Sequence, residues 1–225
     1  MNIIRFIEEQ SQSQSKQLKV ILFGEGNFSF TKCLLGLNLK HINIISTTFD
    51  SLNILYNKYG KNNIDNTLNL LKNIKVLHNI DGTTYKYVNF SNIIIFNFPH
   101  SGLQRIHINR LLLYNFFKNL QTNKIKDSYI IISLCNNLPY KNWELEKQAA
   151  LNGFILYKKF KFFLKDYKYY NHVTTVKDGN SEQFDINSNA YTYIFIHVSN
   201  VTNVSSKRKR KKTTKKQKNK KRRKK

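Results

Sequence analysis

Short apolar runs, bounded by polar residues and separated by segments of helical periodicity, constrain this chain more than any other feature. Val20-Ile21-Leu22-Phe23 stops at Gly24; residues 42–49 stop at Asp50; residues 74–77 lead to Asp81; residues 93–96 are closed by Asn97-Phe98-Pro99-His100; residues 129–134 form a fifth run. Runs this short that do not alternate with polar residues suit strands buried on both faces. Between them, residues 30–39 are helix-compatible, Leu52, Leu55 and Tyr59 share one side of a helix, and residues 143–151 form another. Ile108, Leu112, Phe116 and Leu120 repeat with helical spacing, widened by Leu111 and Phe117. Two late strands, residues 154–163 and 191–198, have no clear helix between them. The pattern predicts an α/β fold: a mostly parallel, doubly wound sheet with a late antiparallel hairpin at one edge.

With 225 residues, 40% of them hydrophobic, the chain is long enough for one domain plus tails. Residues 1–17 are polar and include Ser11-Gln12-Ser13-Gln14-Ser15, so they are expected to form an extension, with ordered structure starting near Leu18. The domain is expected over residues 18–200 and a disordered basic tail over residues 201–225. The net charge is +25, and residues 207–225 supply 15 Lys or Arg and no acid. The rest carries 23 bases against 13 acids, so the body is basic as well. A basic body fits either a polyanionic partner, nucleic acid first, or a lysine-rich solvated surface. The tail cluster Lys207-Arg208-Lys209-Arg210 has the character of a nuclear localisation signal, a nucleic-acid tether, or both. Cys33 and Cys135 lie far apart and outside any Cys/His cluster, so neither a metal nor a disulfide framework is expected. No secretory signal is evident and no apolar run is long enough to cross a bilayer, which implies a soluble, intracellular protein without a membrane partner. No feature of the sequence sets an oligomeric state.

An open α/β sheet binds ligands beyond the carboxyl ends of its strands, where the polar positions of this sequence gather. Gly24-Glu25-Gly26-Asn27-Phe28-Ser29 joins the first strand to the first helix. Glycines there permit positive φ and close approach to a ligand. Position 29 is Ser, so the dinucleotide pattern GxGxxG is incomplete; a cofactor without a pyrophosphate does not need the third glycine. Asp50, 24 residues after Gly26, is placed to hold a ribose hydroxyl or to cap a helix. Asp81 is placed to meet an adenine amino group or to make a turn with Gly82. Asn97-Phe98-Pro99-His100 resembles the Asn-Pro-Pro-Tyr loops of enzymes that methylate planar nitrogens. In those loops the Asn and a backbone carbonyl accept from the nitrogen while the ring stacks on the substrate. His100 is then a candidate for stacking or for proton removal; the plainer alternative is a strand-ending turn. Tyr167, Tyr170 and His172, interleaved with Lys165 and Lys168, suit an unpaired RNA base beside its phosphate, or a solvated Tyr-rich loop.

Together these motifs resemble the large-subunit ribosomal RNA (uridine-N3)-methyltransferase-like family. Phe23-Gly24-Glu25-Gly26-Asn27-Phe28-Ser29-Phe30 is similar to its GEG(D/N)FSFS signature. Thr48-Phe49-Asp50-Ser51, Leu77-His78-Asn79-Ile80-Asp81-Gly82-Thr83, Phe96-Asn97-Phe98-Pro99-His100-Ser101-Gly102 with Asn109-Arg110, Pro139-Tyr140-Lys141-Asn142-Trp143 and Tyr191-Thr192-Tyr193-Ile194-Phe195 match further blocks in the same order. The likeness covers residues 19–198. It implies a Rossmann-like class I methyltransferase that uses S-adenosylmethionine, methylates N3 of a uridine in ribosomal RNA or the pre-ribosome, and acts in the nucleus and nucleolus. Two departures stand out. Where the family pattern is close to Tyr-Pro-Gly-Tyr-x-x-Arg-Arg-Thr, this chain has Tyr167-Lys168-Tyr169-Tyr170-Asn171-His172-Val173-Thr174, without paired arginines. Ser101-Gly102 stands in place of Val-Gly-Gly. The alternative function is a catalytically degenerate methyltransferase fold acting as an RNA-binding ribosome-assembly factor. A nicotinamide-dependent oxidoreductase is disfavoured by the missing third glycine and by the Asn97-to-His100 loop.

Overall fold

The computed structural model describes residues 1–13, 16–37, 39–86, 92–173, 186 and 189–200. Seven strands form one sheet: β1 (Leu18–Phe23), β2 (Ile42–Thr47), β3 (Lys75–Leu77), β4 (Ile93–Asn97), β5 (Tyr129–Cys135), β6 (Phe154–Lys161) and β7 (Ala190–His197). Their order is β3-β2-β1-β4-β5-β7-β6; β1 to β5 are parallel, and β7 is antiparallel to both β5 and β6. The late hairpin therefore sits at one edge, as the sequence pattern predicts. Among the described residues the α-helices are α1 (Ile3–Gln12), α2 (Ser29–Cys33), α3 (Leu52–Tyr59), α4 (Lys61–Leu70), α5 (Ile106–Thr122) and α6 (Leu145–Ala150).

Each face of the sheet carries its own core. Val20, Leu22, Ile93, Ile95, Ile131 and Ile194 pack toward α1 to α4, while Ile21, Ile94, Ile130, Ile132 and Phe195 pack toward α5 and α6. Adjacent residues on each strand thus point into opposite hydrophobic layers, which explains the unbroken apolar runs. Because β1 lies between β2 and β4, the winding reverses there, and a crevice opens beyond the ends of β1 and β4. Phe23 pairs with Phe96, so Gly24 and Asn97 leave the sheet side by side at that crevice.

Four expectations need correction. Residues 1–17 are not a bare polar extension. Asn2 caps α1 by accepting from Arg5 N at 2.9 Å, and Ile3, Phe6 and Ile7 are fully buried. Their i, i+3, i+4 spacing makes an apolar stripe on an otherwise polar helix; Ile3 N also donates to the Tyr167 hydroxyl at 3.2 Å. The helix expected over residues 30–39 ends at Cys33 and passes into a 3-10 turn, Leu34–Gly36, as the chain reaches a poor helix former, Gly36. The buried stripe of α5 is Asn109, Leu113, Phe116, Phe117 and Leu120 rather than one through Leu111, which is 55% exposed. The face is rotated because it begins on a polar residue that apolar periodicity does not detect. Finally, the helix expected over residues 143–151 is a 3-10 turn, Tyr140–Trp143, followed by α6. The expected basic tail lies outside the described residues.

Candidate active site

The loop after β1 is shaped by its neighbours on both sides. Gly24 has φ +67°, and a Cβ there would fall 2.6 Å from the Phe96 ring. A Cβ on Gly26 would fall 2.5 Å from the Tyr59 hydroxyl. Gly24 is required by its positive φ and by the Phe96 ring, whereas Gly26 is held to glycine by the close Tyr59 hydroxyl alone. Phe28, by contrast, is fully buried at φ +57° and serves the core.

The side chains of this loop are engaged internally. Glu25 Oε2 accepts from Thr31 N at 2.9 Å and from Thr31 Oγ1 at 2.8 Å, and Thr31 Oγ1 lies 2.7 Å from Ser46 Oγ. Burial pushes the Glu25 carboxyl up to about 7, against the lowering effect of the two Thr31 hydrogen bonds. Asn27 Oδ1 accepts from Ser29 N, while Asn27 Nδ2 and Ser29 Oγ both donate to Asn171 O, at 3.1 and 2.9 Å. The Glu25, Asn27 and Ser29 side chains thus brace the loop, while Phe28 is buried in the core.

The carboxylates beyond β2 and β3 are held at the same end of the sheet. Thr48 N donates to Leu77 O, Ile80 N to Thr48 O and Asn79 N to Asp50 O, which laces the two loops together. Asp50 Oδ2 pairs with Lys58 Nζ at 2.9 Å, and its cap role is taken by Ser51, which accepts from Ile54 N. Asp81 Oδ1 accepts from Thr83 N and Oγ1, each at 2.8 Å, so the turn role is real. Among the described residues, Asp50 Oδ1 and Asp81 Oδ2 accept no hydrogen bond.

The loop after β4 carries the sharpest signal. Asn97 Nδ2 and Oδ1 are both buried, and neither has a hydrogen-bond partner among the described residues. An amide buried without partners costs several kcal/mol unless something else satisfies it. Beyond the neighbouring strand, Asn137 Oδ1 is buried and unsatisfied too. Phe98 sits at φ +47°, a conformation costly for a bulky residue, and its N donates to Ser133 O at 2.8 Å. Pro99 is buried behind it. The His100 ring packs on Trp143 at 5.6 Å, and its Nδ1 accepts from Gly102 N at 2.9 Å. With Nδ1 engaged, the neutral ring carries its proton on Nε2, and burial lowers its pKa. In this tautomer His100 presents Nε2–H as a hydrogen-bond donor.

The comparisons decide the family. The model of the family described as "rRNA (uridine-N3-)-methyltransferase BTM5-like" matches residues 21–174. The chain belongs to this family. An uncharacterized Arabidopsis thaliana protein is 31% identical over 179 residues, covering 72% of this chain and 85% of that protein. The 25S rRNA (uridine(2634)-N(3))-methyltransferase of Saccharomyces cerevisiae is 27% identical, covering 85% of this chain and 76% of the yeast protein. In fold, the chain is similar to the human methyltransferase 10 domain containing protein, with TM-score 0.51, 16% identity, and 86% and 80% of the two chains covered. It is similar also to an S-adenosylmethionine-dependent methyltransferase from Clostridium acetobutylicum, with TM-score 0.50, 11% identity, and 86% and 89% covered. The sheet is that of the Rossmann-like methyltransferases. Within the family's span lie Gly24, Asp50, Asp81 and Asn97, all at one end of the sheet.

The residues expected to contact RNA need revision. Tyr167 is 2% exposed, stacked on Phe162 at 4.4 Å, with its hydroxyl accepting from Ile3 N. Tyr170 packs edge-on against Phe30, and its hydroxyl lies 2.8 Å from His172 Nδ1. His172 rests 4.6 Å from the Phe98 ring, and burial pushes its imidazole down to about 4. The two tyrosines hold this segment onto the domain, and His172 buttresses the acceptor loop. Lys207, Arg208, Lys209 and Arg210 lie outside the described residues. Asn109, part of the family likeness but given no role from the sequence, organises the loop after His100: its Oδ1 accepts from Ser101 N, and its Nδ2 donates to Leu103 O and Arg105 O. A polar residue among apolar ones at helical spacing was the available signal. Among the described residues, no His, Cys, Asp or Glu group is placed to hold a metal ion, and no helix is long and apolar enough to cross a membrane.

Proposed function

We propose that this protein transfers a methyl group to N3 of a uridine in large-subunit ribosomal RNA. The observation that carries the proposal is the buried, unpartnered amide of Asn97 at the winding reversal of a chain from this family. S-adenosylmethionine supplies an electrophilic methyl on its sulfonium. The residues present fit it: the backbone of residues 24–26 would approach it closely, Asp50 Oδ1 would hold its ribose hydroxyls and Asp81 Oδ2 would meet its adenine amino group.

Uridine N3 lies on the pairing edge, so the base must be unpaired or flipped out to react. Loss of the N3 proton to water leaves negative charge on the flanking carbonyl oxygens. Asn97 Nδ2 donates to one of those oxygens, and His100 Nε2–H is a second donor on the same loop. Donors fixed before reaction stabilise the imidate as it forms. Phe98, braced by His172 and Phe162, provides a flat wall against which the base is oriented. The basic tail, Lys207 to Arg210 included, carries the protein to the nucleus and nucleolus and tethers it to the pre-ribosome.

Two measurements test this: calorimetry with S-adenosylhomocysteine, and incorporation of labelled methyl into ribosomal RNA from the same organism. Cofactor binding together with incorporation into large-subunit RNA is expected. Tight RNA binding without incorporation would instead favour an assembly factor built on a methyltransferase fold.

A further inference from the structure

A cleft with a volume of about 670 Å³ lies between α2, the α3–α4 pair and residues 167–173, lined in part by Asn27 and Ser29 of the loop after β1 and by no residue of the loop after β4. Polar groups line it, among them Asn27, Lys32, Asn57, Lys58 and Asn171, and Tyr169 stands at its rim. Tyr169 is 59% exposed, unlike Tyr167 and Tyr170 beside it. Its φ is +73°, a conformation that L side chains rarely adopt. Backbone strain at an exposed aromatic residue has no packing reward, and such strain persists where it presents a side chain for use.

Two ammonium groups attend the ring: Lys32 Nζ at 5.2 Å and Lys168 Nζ at 5.0 Å from its centroid. Neither has a carboxylate within salt-bridge distance among the described residues, whereas Lys58 on the far wall is paired with Asp50. The rim is therefore an exposed flat ring with two uncompensated cations. A base stacked on such a ring is worth more than an exposed cation over it, so a nucleotide would displace the ammonium groups toward its phosphates. The cleft is also tied to the acceptor side. Asn27 and Ser29 hold Asn171, and His172, three residues beyond Tyr169, touches Phe98.

We infer that this cleft seats a nucleotide neighbouring the target in single-stranded RNA, Tyr169 stacking on its base and Lys32 and Lys168 pairing with its phosphates. The inference rests on the proposed RNA methyltransferase activity and adds where the strand runs. It accounts for an unpaired target, because a flanking base held on Tyr169 is one withdrawn from its helix.

The test uses the full chain with S-adenosylmethionine and a single-stranded RNA containing the target uridine for KM, and S-adenosylhomocysteine in its place for binding. Tyr169→Ala is expected to raise the RNA KM roughly tenfold, and Tyr169→Phe to retain wild-type KM. Tyr169→Gly, which relaxes the backbone, is expected to weaken RNA as much as Tyr169→Ala, separating lost stacking from altered folding. Lys32→Gln with Lys168→Gln is expected to flatten the dependence of log affinity on log salt by about 1.4. Unchanged RNA KM in Tyr169→Ala, with wild-type methylation intact, would overturn the inference while leaving the activity standing. So would weakened S-adenosylhomocysteine binding with RNA affinity unaltered, which would assign the cleft to the cofactor. A wild-type protein that methylates no RNA would remove the activity itself.

Discussion

At the scale of single residues, two buried titratable groups pull the stability in opposite directions. Glu25 has its carboxyl raised from 4.5 to about 7 by burial, so its contribution is full below 4.5 and is lost as pH rises through about 7. His172 has its imidazole lowered from 6.5 to about 4 by burial, so its contribution is full above 6.5 and is lost as pH falls through about 4. Each amounts to roughly 3 kcal/mol across its window, and the windows nearly coincide. Wild-type stability is therefore expected to change little between pH 4.5 and 6.5. Glu25→Gln leaves the histidine unopposed, and its urea midpoint should rise with pH over that range. His172→Gln should show the reverse, a midpoint that falls as pH rises. Equal slopes in both variants would refute the assignment. The sequence placed both residues in functional segments but gave no sign that each is buried, because burial here depends on contacts with distant strands. Glu25 meets Ser46 through Thr31, and His172 meets Phe98 across the sheet end.

At the scale of elements, what was legible followed from periodicity, and what was missed followed from long-range packing. The strand cores over residues 20–23, 93–96 and 129–134 all form, because their unbroken apolar runs admit a sheet buried on both faces. The helix α1 was hidden by the polar run that follows it. Its stripe of Ile3, Phe6 and Ile7 spans only five positions, yet it covers the sheet face beside Tyr129 and receives the Tyr167 contact. Burial of three such side chains stabilises by roughly 5 kcal/mol before the cost of ordering the helix is subtracted. Deleting residues 1–13 is expected to lower the unfolding free energy by about 2–4 kcal/mol, measured by urea denaturation. An unchanged midpoint would contradict the packing role. The same deletion removes the Ile3 N hydrogen bond to the Tyr167 hydroxyl, and with it one anchor of the segment that reaches Phe98, leaving the hydroxyl its hydrogen bond with Thr192. The edge strand β6 carries Lys158, Lys159 and Lys161, charges that discourage pairing with another sheet.

At the scale of the whole molecule, one winding reversal brings together residues far apart in sequence. Gly24 and Asn97 are neighbours because β1 pairs with β4, and the Asp50 and Asp81 loops join them through the β2–β3 end. That convergence was legible, since strand ends in an open α/β sheet share an edge. The division of labour within it was not. The Glu25, Asn27 and Ser29 side chains brace the loop after β1, Phe28 serves the core, and Gly102 N engages His100 Nδ1. Such roles depend on which partner each polar atom finds, and a single sequence does not list partners. In the proposed mechanism the Asn97 amide, unpartnered among the described residues, serves methyl transfer to uridine N3. Nucleoside mass spectrometry of ribosomal RNA, treated with wild type or with Asn97→Ala, tests it most directly. Wild type should yield 3-methyluridine, and Asn97→Ala should lower its rate by about 100-fold or more while still binding S-adenosylhomocysteine. Methylation of a different nucleoside, or full 3-methyluridine formation by Asn97→Ala, would contradict the account.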